Sequence, residues 1–131
     1  MVSHLLTHPT ESIGKFMKKR VVKVRPDDIL RRAAELMVEL NIGSVVVVEN
    51  DRPIGIITER DCVRLISAGR QSETRVEEVM TRPVITCESG KKVVEAFVIM
   101  AENRIDHLPI TENGKLVGIV ASRDMLMATL A

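Results

Sequence analysis

Residues 55–61 read Gly-Ile-Ile-Thr-Glu-Arg-Asp, and the stretch returns 63 positions later, over residues 118–124, as Gly-Ile-Val-Ala-Ser-Arg-Asp. In both copies an apolar strand runs into a short polar corner that should open a helix. Backbone N–H groups, a hydroxyl and a carboxylate converge at such a corner, an arrangement that suits a phosphorylated ligand. One difference bears on this chemistry, because Thr58 of the first copy is matched by Ala121 of the second.

The repeat extends well beyond this corner. An offset of 63 aligns residues 13–61 with residues 76–124 without a gap. A fixed period of this kind indicates a duplicated supersecondary unit. The identical pairs are Met17/Met80, Val21/Val84, Ala33/Ala96, Met37/Met100, Glu39/Glu102, Ile42/Ile105, Glu49/Glu112, Asn50/Asn113, Gly55/Gly118, Ile56/Ile119, Arg60/Arg123 and Asp61/Asp124.

The repeat divides the chain into an N-terminal arm (1–12), a first repeat (13–68), a linker (69–75) and a second repeat (76–131). The arm carries His4, His8 and Pro9, and we expect it to be extended. Two lone histidines without a partner cluster are weak evidence for a metal site. The linker is short and polar, which favours a connector inside one domain over a hinge between independent ones.

Apolar spacing predicts one amphipathic helix in each repeat. In the first repeat the buried stripe consists of Leu30, Ala33, Ala34, Met37 and Leu40. In the second it consists of Val93, Ala96, Phe97 and Met100. Asp27 or Asp28 is the expected N-cap of the first helix, and Ser89 that of the second.

A hairpin is predicted after each helix. Its strands cover residues 43–48 and 53–58 in the first repeat, joined by Asn50-Asp51-Arg52, and 106–111 and 115–120 in the second, joined by Asn113-Gly114. Asn-Gly favours a tight turn because both residues tolerate positive φ. The valine run at 45–48 shows no alternation, so that strand should be covered on both faces. A further short strand is expected over residues 20–24, before Pro26.

Each repeat is then a small sheet with flanking helices, too small to bury its apolar sheet face alone. We therefore predict an α/β (α+β) fold in which two such units pack face to face about a pseudo-twofold axis. The interior must be aliphatic, because 45% of the 131 residues are hydrophobic and the only aromatics are Phe16 and Phe97. Missing aromatics disfavour stacking on single-stranded nucleic acid.

Charge and cysteine content narrow the possible functions. Nineteen basic and eighteen acidic residues give a net charge of +1, which indicates no polyanionic or membrane partner. The basic cluster Lys18-Lys19-Arg20 is either a solvated face or a phosphate contact. Cys62 and Cys87 are expected to be buried free thiols in a reducing compartment, with a disulfide or metal pair as the alternative.

Several function classes lack support in the sequence. No stretch has the pattern of a signal peptide or an 18-residue apolar span, so we expect a soluble, cytoplasmic protein. No nucleophile–base constellation, P-loop or metal-spaced cluster is evident, so we expect no catalysis and no required cofactor.

The Thr58–Asp61 spacing has two interpretations. It fits a capping box with a shorter acid than usual, which would simply begin a helix. Alternatively, a carboxylate at a helix N-terminus stays ionised and can accept hydrogen bonds from both hydroxyls of a ribose. Gly55 and Gly118 would permit a close approach to the strand backbone.

On these residues the chain resembles a tandem pair of cystathionine-β-synthase-type (CBS) domains, also called a Bateman module. The resemblance covers residues 13 to about 129, and all its motifs are in register in both copies. The matching stretches are Val76-Glu77-Glu78-Val79-Met80, His107-Leu108-Pro109-Ile110, and Gly-x-x-Thr-x-x-Asp at Gly55, Thr58 and Asp61.

The resemblance implies binding of an adenosine-containing ligand, such as AMP, ADP, ATP or S-adenosylmethionine, in a cleft between the two repeats. It assigns the ribose diol to the Asp, ribose or phosphate to the Thr or Ser, and adenine to the first-strand backbone of the opposite repeat. Site one would then comprise Thr58, Asp61, Val84, Ile85, His107 and Pro109. Site two would comprise Val21, Val22, Ser44, Val46, Ser122 and Asp124. Possible phosphate contacts are Lys19, Arg20, Arg60 and Arg123.

The second copy departs from the family pattern at Ala121, where a hydroxyl is expected. Ser122 points elsewhere unless the turn shifts, so we expect site one to bind more tightly. His107 has two interpretations, since a protonated imidazole would contact a phosphate and a neutral one would simply pack.

The function implied by the resemblance is a regulatory module that senses adenine nucleotides and acts on an unidentified partner protein in trans. Members of this family commonly form homodimers through exposed helices, and Leu126, Met127 and Leu130 are candidate outward-facing residues. The alternative is a structural or interaction protein whose pockets are unused or bind something else, such as RNA.

Overall fold

The computed structural model describes residues 8–130, with side chains for residues 8–126. These residues form two compact units: a first unit, residues 21–84, and a second unit, residues 8–20 together with 85–130. Each unit holds one three-stranded sheet flanked by helices, which confirms the predicted α/β class. His4 and the side chains of Met127 and Leu130, singled out above, lie outside the described residues.

The first unit contains the sheet and the two longer helices predicted for the first repeat, and also a short helix from the start of the predicted second repeat. Its strand order is β1-β2-β3, with β1 parallel and β3 antiparallel to β2. The elements are β1 (Lys23–Val24), α1 (Leu30–Leu40), β2 (Ser44–Glu49), β3 (Arg52–Thr58), α2 (Glu59–Ser67) and α3 (Val76–Val79).

The second unit repeats this topology with the order β4-β5-β6. It begins with a 3₁₀ turn at Ile13–Lys15, and its further elements are β4 (Cys87–Glu88), α4 (Val93–Asn103), β5 (His107–Glu112), β6 (Lys115–Ala121) and α5 (Ser122–Leu130). Of the helices in the described part of the chain, none has both the length and the apolar character that a membrane crossing requires.

The hairpins form as predicted. Asn50 and Asp51 have φ values of 52° and 63°, and Asn113 and Gly114 have values of 53° and 78°. Two consecutive positive φ angles match the turn to the twist of the flanking strands. The valine run is also confirmed, because three consecutive residues of β2, Val45 to Val47, are fully buried.

The predicted helical stripes are largely confirmed. Leu30, Ala33 and Met37 are buried on α1, and Val93, Ala96 and Met100 are buried on α4. Leu40 was wrongly placed in the stripe: it is the last residue of α1 and is 51% exposed. The predicted strand over residues 20–24 is also shorter than expected, since only Lys23 and Val24 pair.

The predicted caps of α1 are wrong. The N-cap is Ile29, which offers no side-chain acceptor. The first amides of α1 instead donate to distant carbonyls, Leu30 N to Thr74 O (2.8 Å) and Arg31 N to Ser72 O (2.9 Å). Asp28 and Asp27 bind Arg25 rather than the helix.

The predicted cap of α4 is wrong as well. Its N-cap is Lys92, whose N–H donates to the Glu95 carboxylate at 3.2 Å. The hydroxyl of Ser89 donates to Glu112 instead. In both helices the predicted cap lies too early in the sequence, and other groups bind the free amides.

In each unit a further stretch of chain, which we call the lead segment, pairs with the free edge of the hairpin. In the second unit the lead segment is residues 8–20, and its Lys18 exchanges backbone hydrogen bonds of 2.9 and 3.0 Å with Ile119. In the first unit the lead segment is residues 76–83, and its Thr81 pairs with Ile56 in the same way. Residues 8–20 therefore pack with the sheet of the second repeat, although they precede the first in sequence.

Candidate functional site

The corner between β3 and α2 is a capping box. Thr58 is the N-cap of α2, and its hydroxyl accepts the N–H of Asp61 at 3.1 Å. The Asp61 carboxylate accepts the N–H of Thr58 in return, at 2.9 Å through Oδ2. The capping interpretation of this spacing is therefore confirmed, and it fixes the carboxylate at the helix N-terminus.

The capping bond leaves Asp61 with acceptor capacity. Its side chain is only 16% exposed, and its second oxygen, Oδ1, lies 3.4 Å from the Arg64 guanidinium. An ionised carboxylate offers about four lone-pair sites on its two oxygens, so further hydrogen bonds remain available. Arg64 was missed from the sequence, although the i, i+3 spacing to Asp61 is a visible signal.

The first unit also holds residues assigned to site two. Ser44 is buried and lies opposite Thr58 in the β2–β3 ladder. Val46 is buried, and its N–H donates to the Val22 carbonyl at 3.1 Å. Val21 and Val22 are half-buried, as is Val84 near the end of the unit. The structure thus groups Ser44 with Thr58, and Val22 with Val46.

The equivalent corner in the second unit keeps a backbone bond of the first but differs in its side chains. The N–H of Ser122 donates to the Asp106 carbonyl at 2.9 Å, as the N–H of Glu59 donates to the Gly43 carbonyl at 3.0 Å in the first unit. The Ser122 hydroxyl donates to the Asp106 carboxylate at 3.2 Å. Asp124 forms an ion pair with Lys18, with 3.1 Å between Oδ2 and Nζ. The hydroxyl that Ala121 lacks is therefore not supplied to Asp124 by Ser122.

The remaining predicted residues of site one lie in the second unit. Pro109 is fully buried in β5 opposite Ile119, and His107 is half-buried opposite Ala121. Ile85 is half-buried just before β4. The four candidate phosphate contacts are all exposed: Lys19, Arg20, Arg60 and Arg123.

The two strand glycines make room for methionines. A Cβ added at Gly55 would collide with the Met80 thioether, and one added at Gly118 would collide with that of Met17. The close approach inferred from the sequence is therefore made by a side chain of the lead segment. Met17 and Met80 are themselves an identical pair of the repeat, which explains why both units share this contact.

The two cysteines are free thiols; Cys87 is buried as predicted, whereas Cys62 is only half-buried. Burial raises the pKa of Cys62, and the neighbouring Asp61 and Glu59 carboxylates raise it further. Burial likewise raises the pKa of Cys87, which lies in β4. Both therefore remain protonated at neutral pH. Among the residues that the structure describes, no group of three or more His, Cys, Asp or Glu side chains is placed to hold a metal ion.

Known proteins share both this sequence pattern and this fold. A sequence model of the CBS domain matches residues 13–68 and 76–131. An uncharacterized protein of Methanopyrus kandleri is 43% identical over 119 residues, which cover 88% of this chain and 61% of that protein. The chain thus spans less than two thirds of the length of that relative.

Two crystal structures show the same architecture. An uncharacterized conserved protein from Pyrococcus horikoshii is 35% identical, with a TM-score of 0.87 over 94% of this chain and 95% of that chain. The CBS domain pair of the protein MJ0100, solved in complex with 5′-methylthioadenosine and S-adenosyl-L-methionine, is 25% identical, with a TM-score of 0.83 over 92% and 96% of the two chains.

Proposed function

This chain belongs to the CBS domain family, and on that premise we propose that it binds an adenosine-containing ligand and acts as a regulatory module. The match over both repeats confirms the resemblance that the sequence motifs indicated. The adenosine-type ligands bound by the MJ0100 domain pair support the ligand class.

One observation carries the proposal. Asp61 is held at the N-terminus of α2 by its bond to the Thr58 N–H, and its side chain retains acceptor capacity beside Arg64. A ribose presents two adjacent hydroxyl donors, which one fixed carboxylate can accept together. Because the carboxylate is already ordered, little conformational entropy is lost when the ligand binds.

The other members of the two sites are part of the proposal. For site one we assign Val84, Ile85, His107 and Pro109 as further ligand contacts, with Arg60 as a candidate for phosphate. For site two we assign the remaining residues named from the sequence, Val21, Val22, Ser44, Val46, Ser122 and Asp124, with Lys19, Arg20 and Arg123 as candidates for phosphate. The supporting observation is that the repeat places the two aspartates at equivalent corners.

We predict that site one binds adenine nucleotides more tightly than site two. The N–H of Asp61 is bound by the Thr58 hydroxyl, whereas Ala121, the repeat equivalent of Thr58, offers no hydroxyl to Asp124. Isothermal titration calorimetry should therefore show that Asp61→Ala lowers the affinity for AMP more than Asp124→Ala does. The loss of affinity for Asp61→Ala should be about tenfold or more, since a charge-assisted hydrogen bond contributes about 1.5–3 kcal/mol. Equal losses in the two variants would contradict the ranking.

A thermal-shift panel tests the ligand class itself. A ligand that binds only the folded state raises the melting temperature. We expect AMP, ADP, ATP or S-adenosylmethionine to stabilise the protein, and guanine and pyrimidine nucleotides to leave it unchanged. If no adenosine compound has an effect, the chain is instead a structural or interaction module.

We further propose that the module acts on a partner protein in trans as a homodimer. Ligand binding would shift any equilibrium to which the packing of the module is coupled. Exposed apolar side chains at equivalent positions, Val63 on α2 and Leu126 on α5, support the dimer.

A further inference from the structure

The two equivalent aspartates have cationic partners from different parts of the chain. Asp61 faces Arg64, one turn along its own helix. Asp124 faces Lys18, which lies more than a hundred positions earlier in sequence. The repeat therefore does not conserve the electrostatic surroundings of the two carboxylates.

The position of Lys18 is fixed by the backbone of the lead segment. Lys18 pairs with Ile119 through two backbone hydrogen bonds, and the preceding residue, Met17, packs on Gly118. Earlier in the segment Ile13 is fully buried, and its N–H donates to the Lys91 carbonyl at 2.7 Å. The ammonium is thus presented beside Asp124 from a well-anchored main chain.

The first unit offers a matched position without this charge. Thr81 is the repeat equivalent of Lys18 and pairs with Ile56 as Lys18 pairs with Ile119. The next two residues are Lys19 and Arg20 in one segment, and Arg82 and Pro83 in the other. Residues 18–20 therefore carry three cations, whereas their repeat equivalents, residues 81–83, carry one.

We propose that Lys18 is a specificity-determining residue that makes site two select a phosphorylated adenosine ligand over an uncharged or cationic one. This inference rests on the proposed function. A carboxylate that receives a ribose diol also repels a nearby phosphate, and an adjacent ammonium offsets that repulsion and attracts the phosphate. A neutral adenosine gains nothing from Lys18, and a sulfonium is repelled by it.

Lys18 does not block Asp124. The two side chains are 64% and 36% exposed, and an ion pair as open as this contributes little, so a ligand can redirect the ammonium at small cost. The ammonium lies 3.1 Å from Oδ2 of the carboxylate. The ammonium can therefore turn toward a phosphate while Asp124 holds the ribose.

The test compares AMP, adenosine and S-adenosylmethionine by calorimetry. Site two is measured alone in an Asp61→Ala background, with and without Lys18→Thr. Site one is measured alone in an Asp124→Ala background, with and without the reciprocal Thr81→Lys. The control for overall charge is Lys115→Thr, an exposed lysine at the far end of β6, about 20 Å from the corner by the rise of a strand.

We expect Lys18→Thr to weaken AMP binding at site two about fivefold, since one exposed ionic contact contributes about 1 kcal/mol. The affinity for adenosine should not change, and the affinity for S-adenosylmethionine should increase. Thr81→Lys should strengthen AMP binding at site one by a similar factor, and Lys115→Thr should change nothing. Raising the salt concentration should reduce the preference of site two for AMP.

Other outcomes overturn the inference in distinguishable ways. If Lys18→Thr changes the affinities for AMP and adenosine by the same factor, or increases both, Lys18 competes with the ligand for Asp124 and does not determine specificity. If the Asp61→Ala protein binds none of the three compounds although the parent protein does, site two is not a ligand site. If the parent protein itself binds none, the proposed function fails and the inference fails with it.

Discussion

Glu88, in β4, is a residue whose ionisation holds a turn in place. Its carboxylate accepts hydrogen bonds from the Thr111 hydroxyl and from the N–H of Asn113, at the turn between β5 and β6. The Thr111 bond is the main cause that lowers the pKa of Glu88 below its ordinary value of 4.5, and the Asn113 N–H adds to it. The ionised carboxylate therefore stabilises the folded hairpin.

This arrangement predicts a pH-dependent effect of Glu88→Gln. The pKa is lower in the folded than in the unfolded state, so the stabilisation is complete above about pH 4.5 and is lost as the pH falls through the folded pKa. Urea unfolding should show the parent protein more stable than Glu88→Gln at pH 7, with a gap that narrows by about pH 3. Thr111→Val should remove part of the same pH dependence, and a gap of constant size would contradict the assignment.

At the scale of single elements, the lead segments and the hairpin edges fit together through a glycine and a methionine. At Gly55 the three atoms nearest to an added Cβ all belong to the Met80 side chain, with Cγ at 2.7 Å. At Gly118 it would also lie 3.0 Å from the Lys18 carbonyl oxygen, which is held in its pairing with Ile119. A side chain can move away, whereas a paired main chain cannot.

We therefore predict that Gly118→Ala destabilises the protein more than Gly55→Ala, each within the range of about 1–3 kcal/mol that overpacking costs. A double-mutant cycle measured by urea unfolding separates the causes. Met80→Ala should offset most of the Gly55→Ala loss, and Met17→Ala should offset less of the Gly118→Ala loss. Equal rescue at the two positions would show that the main chain at Lys18 yields as readily as a side chain.

The elements that depend on local sequence could be predicted, and those that depend on distant partners could not. The stripe of α4 and the turn at Asn113-Gly114 follow from spacing and from residues that tolerate positive φ. The caps failed because the amides at the start of α1 bind the carbonyls of Ser72 and Thr74, far along the chain. No local pattern reports such a partner.

The candidate site shows the same division. The Thr58–Asp61 capping box was visible as a spacing of three residues. The Lys18–Asp124 pair was not, because it depends on a lead segment that packs with the second repeat while preceding the first. For Gly55 and Gly118 the sequence indicated that some group approaches the strand closely. It did not indicate that this group is a methionine side chain.

At the scale of the whole chain, duplication has produced two units with one topology and different surfaces. The cores remain alike, with Ala33, Met37 and Val45 in the first unit matched by Ala96, Met100 and Leu108 in the second. The corners have diverged in hydroxyls and in charge, through Thr58 against Ala121 and Thr81 against Lys18. Burial constrains the core positions, while the exposed corners are free to acquire different ligand preferences.

The proposed homodimer would bury exposed apolar side chains of α2 and α5. Val63 is 71% exposed and Leu126 is 40% exposed, and the two are repeat equivalents on α2 and α5. The helix α2 also exposes Ile66, so its outer face carries two large apolar side chains that water must solvate. Burying such side chains against a second copy would release that water and favour association.

We predict that Val63→Glu dissociates the homodimer. A carboxylate placed in an apolar contact without a partner is costly to bury, so the dissociation constant should rise at least about tenfold. Light scattering coupled to gel filtration should report a dimer mass for the parent protein and a monomer mass for Val63→Glu at the same concentration. The control is Val38→Glu, which changes an even more exposed valine on α1 and for which we expect no change in mass. Dissociation by Val38→Glu alone would move the contact to α1, and a monomeric parent protein would exclude the dimer.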